Sequence, residues 1–241
     1  MQSKKRVRGD DAARRRTRVA PRVDRARLAR FQRALLAWYR RHGRDLPWRR
    51  TRDPYAILVS EIMLQQTQVR RVLEYYPRFL ARYPTVADLA AASEPAVRDS
   101  WDGLGYYRRA SNLRRAAQLV AERYGGRFPA EVATLQQLPG IGRYTAGAVA
   151  TFAFGQDAPI LDTNAARVLA RVFGHGRRRG RTRRLWALAS ATIPRGRGYD
   201  FNQAIMDLGA LVCRARRPAC PVCPVRKACG TYRGAPRPAQ R

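Results

Sequence analysis

The sequence predicts an all-α protein. Large apolar residues recur at helical spacing along most of the chain, no segment sustains the alternation of a half-buried strand, and proline or glycine punctuates the runs.

Taken in order, residues 1–24 are basic and poor in large apolar side chains. Gly9, Asp10, Asp11, Pro21 and Asp24 interrupt them, so they read as a mobile arm suited to electrostatic tethering. Leu28, Phe31, Leu35, Leu36 and Tyr39 then mark a helix that stops near His42-Gly43, and 47–54 reads as a loop. Ile57, Leu58, Ile62, Met63 and Leu64 define the next helix and 72–80 another, with breaks expected at Pro84, Pro95, Gly103 and Gly125-Gly126. Residues 164–172, 185–193 and 201–212 continue the helical pattern, the last two separated by 194–198. The arginine run at 177–184 reads as a surface loop, either a phosphate contact or simply a solvated face.

A chain of 241 residues that is 45% hydrophobic can bury a real core. Its formal net charge of +32 calls for an anionic polymer or surface as partner, with nucleic acid first among them, although a generally arginine-rich proteome would give a similar figure. No apolar run approaches the roughly 20 residues of a membrane span, and arginine follows the N-terminus where a secretory signal would carry an apolar core. An intracellular protein with no membrane partner is expected. In a reducing compartment its four cysteines serve better as metal ligands than as disulfides.

Three local features bear on chemistry. Leu138-Pro139-Gly140-Ile141-Gly142 places two glycines around one apolar residue at a helix start, a turn whose outward N–H groups can hold a phosphate oxygen. Asp162 follows an apolar pair and opens the helical run at 164–172, where a plain helix cap is the ordinary use of aspartate. Glu61 sits among large apolar residues on its helix. If buried there, its charged form is disfavoured and its pKa rises, as a general acid near neutrality requires; if solvent-facing, it is an unremarked surface carboxylate. Near the C-terminal end, Cys213, Cys220, Cys223 and Cys229 follow a C-x6-C-x2-C-x5-C spacing that can wrap one metal centre, and spacing alone leaves zinc and an iron–sulfur cluster both open.

Together the glycine hairpin, the aspartate after it and the cysteine quartet resemble the helix-hairpin-helix DNA glycosylases. The cysteine spacing is similar to the [4Fe-4S] loop of the endonuclease III and A/G-specific adenine glycosylase families, and the resemblance covers residues from about 25 to 232. It implies two helical domains. A six-helix barrel at 54–157 carries the hairpin, and a discontinuous cluster domain comprises 25–53 and 158–232, leaving 233–241 as a tail. The active cleft is expected between them.

The resemblance also distributes roles. Ser60-Glu61-Ile62-Met63-Leu64-Gln65-Gln66-Thr67 is similar to the adenine glycosylase motif in which this glutamate protonates adenine at N7 and the second glutamine wedges into the base stack, so Leu64 and Gln66 are expected at DNA. Asp162 becomes the carboxylate that steadies positive charge on the sugar, supported by Asn164. Tyr106, in Gly105-Tyr106-Tyr107, matches the aromatic residue that fills the stack beside the orphan base. Arg49 is expected near the flipped base, and Gly140 and Gly142 at the backbone phosphates. Endonuclease III-like lyases carry lysine where this chain has Tyr144, and a phenol cannot form their Schiff base. A monofunctional enzyme that leaves an abasic site is therefore expected.

The expectation is an adenine glycosylase of base excision repair, acting as a monomer on double-stranded DNA that holds A opposite G or 8-oxoguanine, in the cytoplasm at the nucleoid. The chain ends twelve residues after Cys229, so it is expected to lack the further C-terminal domain with which typical adenine glycosylases recognise 8-oxoguanine. A thymine glycosylase acting on G·T mismatches is the alternative within the fold, and Gln65-Gln66-Thr67 and Gly105-Tyr106-Tyr107 favour adenine over it. A DNA-binding module without turnover would keep the hairpin and the cysteines but has no need of both Glu61 and Asp162.

Overall fold

A computed structural model describes residues 23–174 and 181–232, so most of the N-terminal arm, the start of the arginine run and the tail lie outside the described residues. Among the described residues there are helices and no strands. Helix α1 (Arg25–His42) is capped by Asp24, whose carboxylate accepts from the Arg27 N–H, and it buries Phe31, Leu35 and Leu36 along one face. Helix α2 (Pro54–Met63) starts on Asp53 with proline in its first turn and buries nine of its ten residues, which makes it a central element hydrophobic on every side.

Around α2 pack α3 (Val69–Arg82), α4 (Val86–Ala91), α5 (Glu94–Asp99), α6 (Arg108–Tyr124), α7 (Val132–Leu135) and α8 (Arg143–Phe152). In α3 the buried Val72, Tyr76 and Phe79 keep helical spacing, while Pro77 falls on the exposed face. The break expected at Pro95 is instead a helix start. Proline has no N–H to lose there, because the first-turn amides lack intrahelical acceptors anyway, and the Ser93 hydroxyl caps the turn. Gly125, in the left-handed region at φ +57°, ends α6 as expected.

A second core forms where α1 meets α9 (Thr163–Phe173), α10 (Arg181–Thr192) and α11 (Gly198–Leu211). The loop expected at 177–184 is corrected over 181–184, which are the first turn of α10. Arginine is a good helix former, and Leu185, Leu188 and Ala189 bury one stripe of a helix whose start exposes Arg183 and Arg184.

The two cores are joined by specific contacts. Asp157 accepts from the N–H groups of Gly196 (2.7 Å) and Gly198 (2.8 Å), and Asn202 of α11 donates to the Ala158 carbonyl at 3.0 Å. The Arg143 guanidinium lies over the Trp186 ring of α10 at 4.0 Å. Two glycines permit close approach. A Cβ on Gly147 would stand 2.7 Å from the Pro159 carbonyl oxygen, and one on Gly209 would stand 2.6 Å from Cβ of Asn164. These contacts bring the N-terminus of α9 against both α8 and α11.

Candidate active site

Between the two cores lies a cavity of about 580 Å³, lined by Arg49, Glu61, Tyr144, Asp162, Gln203 and Met206 among others. Sites for small organic groups run to roughly 300–1,000 Å³, so a planar heterocycle fits its volume. Glu61 reaches it from α2, Tyr144 from the first turn of α8 and Asp162 from the cap of α9.

Glu61 is 4% exposed, and its Oε2 has no hydrogen-bond partner. Burial pushes its carboxyl from 4.5 up to about 7; the Tyr144 hydroxyl beside it lowers the value, Asp162 raises it, and Arg49 lowers it slightly. A buried carboxyl that leaves one oxygen unpartnered toward the cavity and is half-protonated near neutrality is placed to donate a proton to a group entering there. Asp162 is held differently. Its Oδ1 accepts from the Ala165 N–H at 2.6 Å and its Oδ2 from the Asn164 amide at 3.0 Å, which fixes the carboxylate as the cap of α9. Burial raises its pKa against these bonds and the charge of Arg167. Cap and cavity lining are thus the same group.

Tyr144 is half-buried beside both carboxyls, and desolvation holds its phenol pKa well above the usual range. Its hydroxyl lies 3.7 Å from the Met206 sulfur. Among the described residues no lysine lines the cavity.

Arg49 also enters, but its guanidinium is engaged. It donates to Asp207 Oδ2 at 2.8 Å and Oδ1 at 2.9 Å, and Arg44 adds bonds to the same carboxylate from its backbone N–H at 2.9 Å and its Nε at 2.7 Å. Asp207 is wholly buried. Burial alone would raise its pKa, yet the two guanidiniums outweigh that and hold it below the ordinary value. Sequence reasoning missed Asp207, Arg44 and Gln203; the signal was one acid, Asp207, and two carboxamides, Asn202 and Gln203, in the otherwise apolar run 201–212.

Leu64 lines the cavity as well, whereas Gln66 and Tyr106 lie together in a neighbouring cleft. Tyr106 is 60% exposed, and both residues have positive φ, +58° at Gln66 and +50° at Tyr106. Gly140 and Gly142 are exposed in the turn between α7 and α8. Gly140 needs its missing side chain, since φ is +74° and a Cβ would stand 2.8 Å from Cβ of Asn112. Gly142 caps α8 with no side chain over the first amides.

The four cysteines ring a separate cavity of about 200 Å³ floored by Val168, Val172, Leu208, Val212 and Val225. All four thiols are free, and burial pushes that of Cys223 up to about 11. A single zinc would need its sulfurs about 2.3 Å away. Among the described residues no group of three His, Cys, Asp or Glu side chains is already drawn together around a single ion, and the four thiols face one shared cavity. Arg171 braces it, donating to the carbonyls of Arg214 (2.8 Å) and Ala215 (3.1 Å) and to the Cys213 sulfur at 3.4 Å. Among the described residues no helix is long and apolar enough to cross a membrane.

Comparison with known proteins agrees with this architecture. Residues 59–190 match the HhH-GPD superfamily base excision DNA repair protein family. The chain is 48% identical over 218 residues to the adenine DNA glycosylase of Homo sapiens, covering 86% of this chain and 40% of that protein. It is 39% identical to the thymine-DNA glycosylase of Aeropyrum pernix, covering 87% of this chain and 97% of the relative. The solved structure of a thermostable thymine-DNA glycosylase superposes with a TM-score of 0.81 at 34% identity, covering 86% of this chain and 97% of that one. The chain spans less than half the length of the mammalian adenine DNA glycosylases that it matches. It belongs to the HhH-GPD superfamily.

Proposed function

We propose that this HhH-GPD protein is a monofunctional DNA glycosylase that removes adenine opposite G or 8-oxoguanine in base excision repair. The observation that carries the proposal is the pair Glu61 and Asp162 on one cavity, the first a buried acid with one oxygen unpartnered and a pKa of about 7, the second a fixed carboxylate. With the target base in the cavity, Glu61 gives its proton to adenine N7. The N-glycosidic bond breaks with its electron pair leaving on the base, and Asp162 stabilises the positive charge that develops on the sugar. Water then adds to the sugar carbon, returning a proton to Glu61. Tyr144 offers no amine to trap the sugar, so the product is an abasic site.

The bases on either side of the gap meet Gln66 and Tyr106, whose insertion offsets the loss of stacking. The exposed turn of Gly140 and Gly142 takes the backbone phosphates, Arg49, Leu64 and Gln203 frame the base, and Asn164 holds the Asp162 carboxylate. Cys213, Cys220, Cys223 and Cys229 hold a [4Fe-4S] cluster that ties the C-terminal segment to α9 and α11. When bound, such a cluster supplies a charged, multi-atom anchor for that segment. The protein works as a monomer on double-stranded DNA inside the cell, at the nucleoid.

A second reading, removal of thymine opposite G, is favoured by one observation. The solved thymine-DNA glycosylase superposes on this chain with a TM-score of 0.81 at 34% identity. Base release from duplexes holding A or T opposite G, 8-oxoguanine and C, scored before and after alkali, decides between them. Adenine release that needs alkali for strand scission is the expected result, and thymine release alone would establish the second reading. Iron and sulfide in equal amounts, both lowered in Cys223→Ser, are expected on chemical analysis.

A further inference from the structure

We propose that Arg109 is a positioning residue that couples Gln66 to Tyr106, so that the two enter DNA as one rigid unit. The proposal rests on the reading that these residues insert into the base stack. Arg109 stands on the first turn of α6, is 8% exposed, and has no carboxylate partner among the described residues. Its Nη1 donates to the carbonyls of Ile62 (3.0 Å), Met63 (2.8 Å) and Gln65 (2.5 Å). Its Nη2 donates to the Thr67 hydroxyl (3.0 Å) and to the carbonyls of Leu104 (3.3 Å) and Gly105 (3.0 Å).

The six acceptors fall in two segments. One is the end of α2 and the turn after it, where the last carbonyls of a helix lack intrahelical donors and carry partial negative charge. The other is the turn that leads into α6. Gln65 and Gly105, whose carbonyls Arg109 holds, immediately precede Gln66 and Tyr106. Both of those residues occupy the left-handed region, which a side chain enters only where its surroundings fix the backbone. The guanidinium also lies 5.4 Å from the centre of the Tyr106 ring and 5.5 Å from that of the buried Trp101. One planar fork therefore sets both strained turns and their separation, and a lysine ammonium cannot reproduce that geometry.

The test is a double-mutant cycle. Gln66→Ala, Tyr106→Ala and the double variant are compared by the stopped-flow rate of base opening, read from 2-aminopurine placed beside the target adenine in a duplex, with circular dichroism melts as a check on folding. Each single substitution is expected to slow opening. The double variant should be about as slow as the worse single one, faster than the product of the two effects by about threefold or more. In an Arg109→Lys background the same two substitutions should become multiplicative. Multiplicative effects in the wild-type background overturn the proposal, and so does an Arg109→Lys protein that melts lower yet keeps the coupling. If neither single substitution slows opening, the insertion reading itself fails and the proposal falls with it. The wild-type cycle decides on its own if Arg109→Lys does not fold.

Discussion

Replacing Glu61 by glutamine separates what the buried carboxyl does for chemistry from what it costs the fold. Its pKa rises from 4.5 to about 7 because the native cavity desolvates it. Each pKa unit corresponds to about 1.4 kcal/mol, so ionised Glu61 destabilises the native state by about 3 kcal/mol. The sign follows from the raised value. Below about pH 4.5 the carboxyl is protonated in both folded and unfolded chains, and the penalty is absent. As the pH climbs toward 7 the unfolded chain ionises first, stability falls, and above 7 the loss levels off. Glutamine cannot ionise. The stability of Glu61→Gln minus that of wild type should therefore grow from a baseline near pH 4 by about 3 kcal/mol near pH 8, measured by urea unfolding of both proteins across the range. Over the same series, base release under single-turnover conditions should drop by about a hundredfold or more at every pH, because the amide has no proton to give. Wild-type release should decline as the pH passes 7. A stability difference that is flat with pH would place Glu61 in water, and glutamine activity near wild type would remove the proton donor from the mechanism.

Three further substitutions probe the rest of the site. Asp162→Asn keeps an acceptor for the Ala165 N–H, so melting should move by no more than about 1 kcal/mol in stability, while release falls by about a hundredfold or more. Tyr144→Lys places an amine on the cavity, and borohydride should trap a covalent adduct with abasic DNA that wild type does not give. Gly140→Ala meets both a positive φ and the Asn112 side chain, which should destabilise the protein by about 1–3 kcal/mol and weaken duplex binding in a filter or anisotropy assay.

Much of this was legible in the sequence, for a physical reason. Helices that bury one stripe show it as a period, so α1, α3 and α9 could be read directly from their apolar residues. Glu61 was ambiguous by pattern alone, buried acid or surface carboxylate, and only the motif resemblance favoured the first; the structure buries every face of α2 and leaves no solvent side for it. The exceptions involve residues whose neighbours lie far along the chain. Asp207 is a buried ion-pair centre only because Arg44 and Arg49 come from more than 150 residues away. In the sequence it is one acid near a helix end. Arg108 and Arg109 are adjacent and identical in type, yet one is exposed and the other holds two turns together.

That last contrast bears on how the charge of +32 should be understood. Composition suggests arginines turned outward toward phosphate, but several are turned inward. Arg27 reaches the carbonyls of Val172 and Ala228, Arg167 those of Gly209 and Cys213, and Arg171 those of Arg214 and Ala215. A guanidinium offers five donors in a plane and is more weakly hydrated than an ammonium, so it can satisfy carbonyls at helix ends and in loops where lysine would leave them bare. The cysteine segment, which has little core of its own, is fastened to α1 and α9 in this way. The arginine excess therefore divides into side chains left toward solvent, open to an external polyanion, and side chains bonded to the protein's own backbone. Only the first should respond to salt.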